Sequence, residues 1–367
     1  MTILFIGTLP EPVTGQSIAC RVLLEGLRPE HDVELVDLSK KDFRQGLSST
    51  TRVVEVARIL WRIWRTRRRA DVIYLTVSQS LAGNLKDLCI YLLCYRQLDH
   101  LIIHLHGGAG MRRIMLGDRA LLRGINAHFL RRLGAVVVLG QSQVCIYQGV
   151  VPDGRIHVVP NCAEDSFFTN LERIDDKFLR VHPLRVLFLS NLLPGKGHDE
   201  LVQAYLALDG RTRASVRLDI AGGFESDRQK DAFLRKVAGV DGIRYHGTVA
   251  GERKRSLLDR AHVLCLPTYY PYEGQPISIL EAYASGCAVI TTNHSGIRDV
   301  FRPEVNGYEV AKRSVPDLRS AIERAVAEPE CLRQMATHNL QTAVVNYRAS
   351  EYRTALARII GSVAGRD

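Results

Sequence analysis

The chain has 367 residues, 46% of them apolar and 24% charged, with a formal net charge of +10. This length exceeds what one hydrophobic core ordinarily serves, so two domains are expected, and the composition excludes a disordered or fibrous chain. No apolar run approaches the ~20 residues of a membrane-spanning helix, and residues 1–7 are too short and too poor in basic residues for a secretory leader. The expectation is a cytoplasmic protein that can lie on a membrane but not cross it. Eight cysteines, none in a C-x-x-C pair, sit mostly in apolar runs and read as reduced core residues.

Short β-branched runs alternate with helix-length amphipathic segments along the chain, which predicts an α/β fold of parallel sheets covered by helices on both faces. In the first half the strands are expected at 2–7, 32–38, 71–77, 100–106, 135–139 and 156–160. Helical patterns lie near 17–27, 52–64, 81–95, 118–133 and 143–149. Between the first strand and first helix, Gly15 and Gln16 sit in a Pro/Gly-rich loop, where Ser17 can cap the helix and free N–H groups favour an anion. The loop is not G-x-G-x-x-G, so a dinucleotide fingerprint is absent.

The next helical pattern carries most of the charge asymmetry. Residues 52–69 hold seven arginines and one acid, a patch suited to anionic lipid, nucleic acid or a phosphorylated substrate. Arg58, Arg62, Arg65 and Arg69 form one helical stripe with Trp61 close by, while Val53, Val56, Ala57, Leu60, Ile63 and Trp64 occupy the side expected to dock on the sheet. The expected partner of the stripe is an anionic membrane surface, with the tryptophan entering the headgroup region. The fourth strand ends in His104-Leu105-His106-Gly107, with both histidines on one face. No Cys, Asp or Glu follows within ten residues to complete a metal site, and no Asp-x-Asp occurs in the chain, so neither metal nor cofactor is expected.

A polar stretch ending in His182-Pro183 reads as a linker, 166–183, between a domain at 1–165 and a second at 184–345, with a helix at 346–367 returning to the first. The second half is expected to hold strands at 184–190, 217–221, 243–248, 263–267, 288–292 and 307–310. Helices are expected near 198–208, 227–238, 251–260, 277–284 and 316–327, followed by two more in the tail, broken near 346–350. After the first of these strands comes Asn191-Leu-Leu-Pro-Gly195-Lys196-Gly197, where two glycines let the backbone approach a phosphate and the lysine supplies a point charge. It lacks the hydroxyl residue of a P-loop. Later, Glu273 lies in a loop after a strand, and Glu281 falls one turn into the next helix near its apolar side. A carboxylate there needs a partner, either ligand hydroxyl groups or a basic residue of the core.

Together these segments resemble the retaining glycosyltransferases of family 4, which have the GT-B fold. Glu273 and Glu281 match the E-x7-E motif, within Glu273-Gly274-Gln275-Pro276-Ile277-Ser-Ile-Leu-Glu281-Ala. The similarity continues through Gly286 and Gly296 to Asn306-Gly307, with Lys196-Gly197, His106-Gly107 and Gly15 in matching places. The resemblance implies two Rossmann-like domains facing a cleft and transfer of a hexose-type sugar from a nucleotide-diphosphate sugar, UDP before GDP, to a lipid-linked glycan of surface polysaccharide synthesis. It implies further that Lys196 neutralises the diphosphate, Glu281 holds the ribose, Glu273 with Gly274 and Gln275 binds the sugar, and His106 lies beside sugar and phosphate. The family's arginine five residues before the lysine is Asn191 here, and its second N-terminal glycine is Gln16. A GT-B sugar-nucleotide 2-epimerase, or a module binding RNA or lipid through the arginines, stays open as the alternative. Nucleic acid is not the expected partner.

Overall fold

In the computed structural model, which describes residues 1–39 and 49–365, the chain divides into two compact units. One comprises Met1–Asn161 with Ala349–Asp367, the other Cys162–Arg348. The side chains of residues 49–52, Arg52 among them, lie outside the described set. Among the described residues no helix is long and apolar enough to cross a membrane.

The first unit is built on six parallel strands, β1 (Thr2–Gly7), β2 (Asp32–Asp37), β3 (Val72–Thr76), β4 (Leu101–Leu105), β5 (Ala135–Val138) and β6 (Ile156–Val158), in the order β2-β1-β3-β4-β5-β6. The strands β3, β4 and β5 are buried throughout, as expected of parallel strands covered on both faces. The helices are α1 (Gly15–Leu27), α2 (Ser49–Thr66), α3 (Leu81–Leu93), α4 (Ala109–Met115), α5 (Ala120–Leu130) and α6 (Gln141–Val144). Right-handed crossovers carry α2, α3 and α5 over one face of the sheet and α1 over the other. The C-terminal helix packs on α1 and on β3 and β4.

The second unit repeats the plan. Its strands are β7 (Leu184–Leu189), β8 (Val216–Ala221), β9 (Ile243–Tyr245), β10 (Val263–Leu266), β11 (Ala288–Thr292) and β12 (Gly307–Val310), all parallel, in the order β12-β11-β10-β7-β8-β9. Its helices are α7 (Leu171–Leu179), α8 (His198–Leu206), α9 (Gly210–Ala214), α10 (Asp227–Val237), α11 (Gly251–Arg260), α12 (Ile277–Ala284), α13 (Val315–Ala327) and α14 (Pro329–Asn346); α15 (Ala349–Ala364) belongs to the first unit. Each unit has its own buried hydrophobic cluster.

Three expectations need correction. The stretch 166–183 contains α7, whose Asn170 side chain accepts the Arg173 N–H at 2.9 Å and whose Ile174 and Phe178 enter the core of the second unit. The cap of α1 is Thr14, with Ser17 at the third helical position. Thr14 Oγ1 accepts the Ser17 N–H at 3.1 Å, and Ser17 Oγ accepts the Thr14 N–H at 2.8 Å. On α2 the buried stripe is narrower than expected: Ile63 is buried and Val56, Ile59 and Leu60 partly so, whereas Val53, Ala57 and Trp64 are exposed. Spaced i, i+3, i+4, i+7, those four residues suffice to seat the helix against α3 and β2.

Candidate active site

In the second sheet β8 and β9 extend to one side of β7 and β10 to β12 to the other, so the order reverses between β7 and β10. Ligands of doubly wound sheets bind beyond the carboxyl ends of the strands at such a reversal. The loops leaving these two neighbouring strands are the Lys196 and Glu273 loops. Gly195 and Gly197 have φ of +92° and +84°, and a Cβ on Gly197 would stand 2.4 Å from the Pro267 carbonyl oxygen. Glycine therefore permits the close approach of the two loops, which the Tyr269 N–H secures by donating to the Gly195 carbonyl at 2.7 Å.

Lys196 Nζ lies 2.7 Å from Glu273 Oε2 and 5.0 Å from the Tyr270 ring. The same carboxylate oxygen accepts from Thr268 Oγ1 at 2.8 Å, and Ser295 Oγ donates to the Glu273 carbonyl at 2.6 Å. Glu273 is thus buried, charge-paired and held at both ends. Gly274, Gln275, Pro276 and Ile277 are buried where the chain turns into α12. Neither α8, which begins after Gly197, nor α12, which begins after Pro276, has a side-chain cap. Their first-turn N–H groups therefore offer an anion the positive ends of two helices. Asn191 stands half-buried at the end of β7 and brings no charge.

One turn into α12, Glu281 is 1% exposed, and its Oε1 accepts from Lys254 Nζ at 2.6 Å. Lys254 comes from α11 and lies 5.0 Å from the Phe167 ring. Of the two kinds of partner foreseen for this carboxylate, the structure shows the basic core residue. Sequence reasoning missed Lys254, one of three consecutive basic residues (253–255), and missed Thr268 and Ser295; in none does spacing distinguish the residue from its neighbours.

In the first unit His106 is buried where β4 ends, its ring 4.1 Å from that of His104, whose Nδ1 lies 2.5 Å from the Tyr74 hydroxyl. Burial draws the His106 pKa down to about 3 against the opposing hydrogen bond of Asn161, and draws His104 well below the usual imidazole range. Both rings are neutral near neutral pH. A Cβ on Gly107 would lie 2.0 Å from Gln79 Nε2, so the end of that side chain packs into the space the glycine leaves. Gly15 and Gln16 occupy the first turn of α1. Among the described residues no three His, Cys, Asp or Glu side chains come together as a metal site. Arg58, Arg62, Arg65, Arg69 and Trp61 are all exposed, and Arg62 Nη2 donates to the Leu35 carbonyl at 2.9 Å.

Two six-stranded parallel sheets, each with its own helices, are the layout of the GT-B fold, and solved structures bear that out. The solved structure of HepE from Anabaena in complex with UDP superposes over 99% of this chain and 100% of its own, with a TM-score of 0.73 at 15% identity, a likeness of fold. Residues 172–341, within the second unit, match the family described as glycosyl transferases group 1. An alpha-(1→4)-mannosyltransferase of Mycolicibacterium hassiacum is 24% identical over 52% of this chain and 44% of its own. A GDP-mannose-dependent phosphatidylinositol monomannoside mannosyltransferase of Mycobacterium tuberculosis is 30% identical over 41% of this chain and 42% of its own. The chain thus spans less than half the length of these curated relatives.

Proposed function

We propose that the protein is a retaining, metal-independent glycosyltransferase. It moves a hexose-type sugar from a nucleotide-diphosphate sugar, UDP rather than GDP, to a lipid-linked glycan in surface polysaccharide synthesis at the cytoplasmic face of a membrane. The observation that carries this reading is the pair of Lys–Glu contacts, Lys196–Glu273 and Lys254–Glu281, beside two uncapped helix starts where the second sheet reverses order. The names of the relatives support transfer chemistry, and the UDP bound to HepE supports the choice of base.

The second unit then acts through electrostatics. Lys196 and the first-turn N–H groups of α8 and α12 receive the diphosphate, Glu281 accepts from ribose hydroxyls, and Glu273 accepts from hydroxyls of the sugar. As the bond from the anomeric carbon to the phosphate oxygen breaks, negative charge grows on that oxygen, where these fixed positive groups stabilise it. The acceptor oxygen bonds to the same face of the carbon, and its proton passes to the departing phosphate oxygen, so no protein nucleophile is needed. His106, in the first unit, contributes a neutral imidazole able to hydrogen-bond a sugar hydroxyl.

The test is a thermal-shift panel of UDP-, GDP- and ADP-sugars, followed by turnover of the best donor in excess chelator. A UDP-sugar at 100 times its dissociation constant should stabilise the protein by about 2.7 kcal/mol. Stabilisation by none of the three, or turnover that chelator abolishes and added divalent metal restores, would refute the reading.

A further inference from the structure

The charge of this protein is concentrated in one segment. Residues 49–132 hold fifteen Lys and Arg against five Asp and Glu, a surplus equal to the whole chain's +10, so the remaining residues balance. The same segment carries ten of the nineteen large apolar side chains that are exposed among the described residues. A soluble surface does not ordinarily gather apolar and cationic side chains on one face.

These residues form stripes on neighbouring helices. On α2, Val53, Ala57, Trp61 and Trp64 follow the helical repeat and are exposed, with Arg58, Arg62 and Arg65 alongside and the Arg65 guanidinium 5.6 Å from the Trp61 ring. On α3, Leu81, Leu85 and Leu92 are exposed at i, i+4 and i+11, while Asn84, Asp87, Ile90 and Tyr91 face inward. On α5, Leu121 is 80% exposed and Ile125 stands one turn on, lining a shallow depression of about 570 Å³ with Gly124 and His128. Helix α3 touches α2 on one side. On the other it is tied to α5 by the paired, buried amides of Asn84 and Asn126, at 2.9 and 3.1 Å. All three helices lie over the same face of the sheet, so the sides turned away from it look outward together.

We infer that the layer α2–α3–α5 inserts its apolar stripes into the interfacial region of an anionic phospholipid bilayer, with the arginines seated among the headgroups. Leucines and tryptophans rimmed by arginine fit that occupant because the bilayer interface offers hydrocarbon and negative charge side by side. Arginine adsorption alone would use α2 and leave the leucines of α3 and α5 without a role. The inference deepens the reading of a lipid-linked acceptor and rests on that reading only for its purpose.

The chain's two tryptophans, Trp61 and Trp64, are 54% and 53% exposed and both lie on this face, so tryptophan emission, excited where tyrosine does not absorb, reports on it alone. Adding phosphatidylglycerol-containing vesicles should shift the emission to the blue and carry the protein into the vesicle pellet. The Leu85/Leu92/Leu121→Asn variant, altered only at exposed positions, should keep its melting temperature yet partition about tenfold less or worse. In 1 M salt, where screening acts within about 3 Å, the wild type should stay partly bound and the leucine variant should come off entirely. Arg58/Arg65/Arg69→Gln should lose its preference for anionic over neutral vesicles. Unchanged emission, release of wild type by salt as complete as that of the variant, or a homodimer that the leucine substitutions split in place of vesicle binding would overturn the inference. UDP thermal shifts on the same samples separate the two readings, because normal UDP binding without vesicle binding sinks only this one.

Discussion

Glu281 and Lys254 illustrate what a single buried carboxylate costs. With 1% exposure left to the acid and 12% to the lysine, the pair lies in a poorly hydrated site where the two charges compensate one another. Replacing only the lysine, Lys254→Met, removes the cation beside the buried carboxylate and should lower stability by about 3–5 kcal/mol, whereas adding Glu281→Gln should recover much of the loss. Chemical denaturation of the two variants decides it, and an unchanged midpoint for Lys254→Met would mean that the contact contributes little without ligand. His106 gives a second residue-level expectation, with opposite protonation logic. Its folded pKa is held at about 3, below its ordinary 6.5, so above pH 6.5 both folded and unfolded chains carry it neutral. Between 6.5 and 3 only the unfolded chain binds the proton, and stability falls as the pH falls. His106→Gln should therefore reduce the slope of stability against pH, measured from pH 6.5 to 5, by up to one proton. The E-x7-E glutamates were legible as candidates because their spacing is a motif, and Lys196 because two glycines flank it in a loop after a strand. Lys254, the counter-charge of Glu281, was not, because a lysine on a basic helix looks like solvent-facing charge until the fold brings it to that carboxylate.

At the level of elements, strands were easier to read than short helices, and burial explains the difference. Parallel strands covered on both faces are near-continuous apolar runs, and Val72–Leu75, Ala135–Val138 and Val263–Leu266 stand out as such. Helix α7, by contrast, buries only Ile174 and Phe178 of its nine residues and carries four charges, Glu172, Arg173, Asp175 and Asp176, in its first six. It reads as polar because only those two side chains enter the core, while its charged residues reach other elements such as α14, where Arg333 pairs with Asp175. Helix α4, in a glycine-rich stretch just after His106, was hidden by Gly107, Gly108 and Gly110, whose helix propensity is low. The C-terminal helix α15 buries Tyr352, Leu356, Ile359, Ile360 and Val363 within the first unit. A chain ending at residue 348 should thus lose the cooperative unfolding of residues 1–161 while keeping a protease-resistant second unit. Recovery of an intact, resistant first unit from the shortened chain would show that α15 is dispensable.

For the whole molecule, the decisive feature is that the proposed donor groups are confined to one of two independently cored units. Lys196, Lys254, Thr268, Glu273, Glu281 and Ser295 all belong to Cys162–Arg348, and each unit has its own hydrophobic cluster. A ligand that binds only the folded form of a unit lowers the population of that unit's unfolded form by the factor 1 + [L]/Kd. At 100 times the dissociation constant, UDP should therefore slow by about 100-fold the exchange of those amides in β7, β8, β10 and β11 that open only on unfolding of the second unit. Amides of β3, β4 and β5 have no such coupling through the donor groups, and their exchange should be unchanged. Hydrogen exchange read by mass spectrometry, with and without UDP on the full chain, measures both sets in one experiment. Protection confined to the second unit would show that nucleotide recognition is complete within Cys162–Arg348. Equal protection of both sets would mean either that the units unfold as one or that the first unit supplies part of the nucleotide's binding energy.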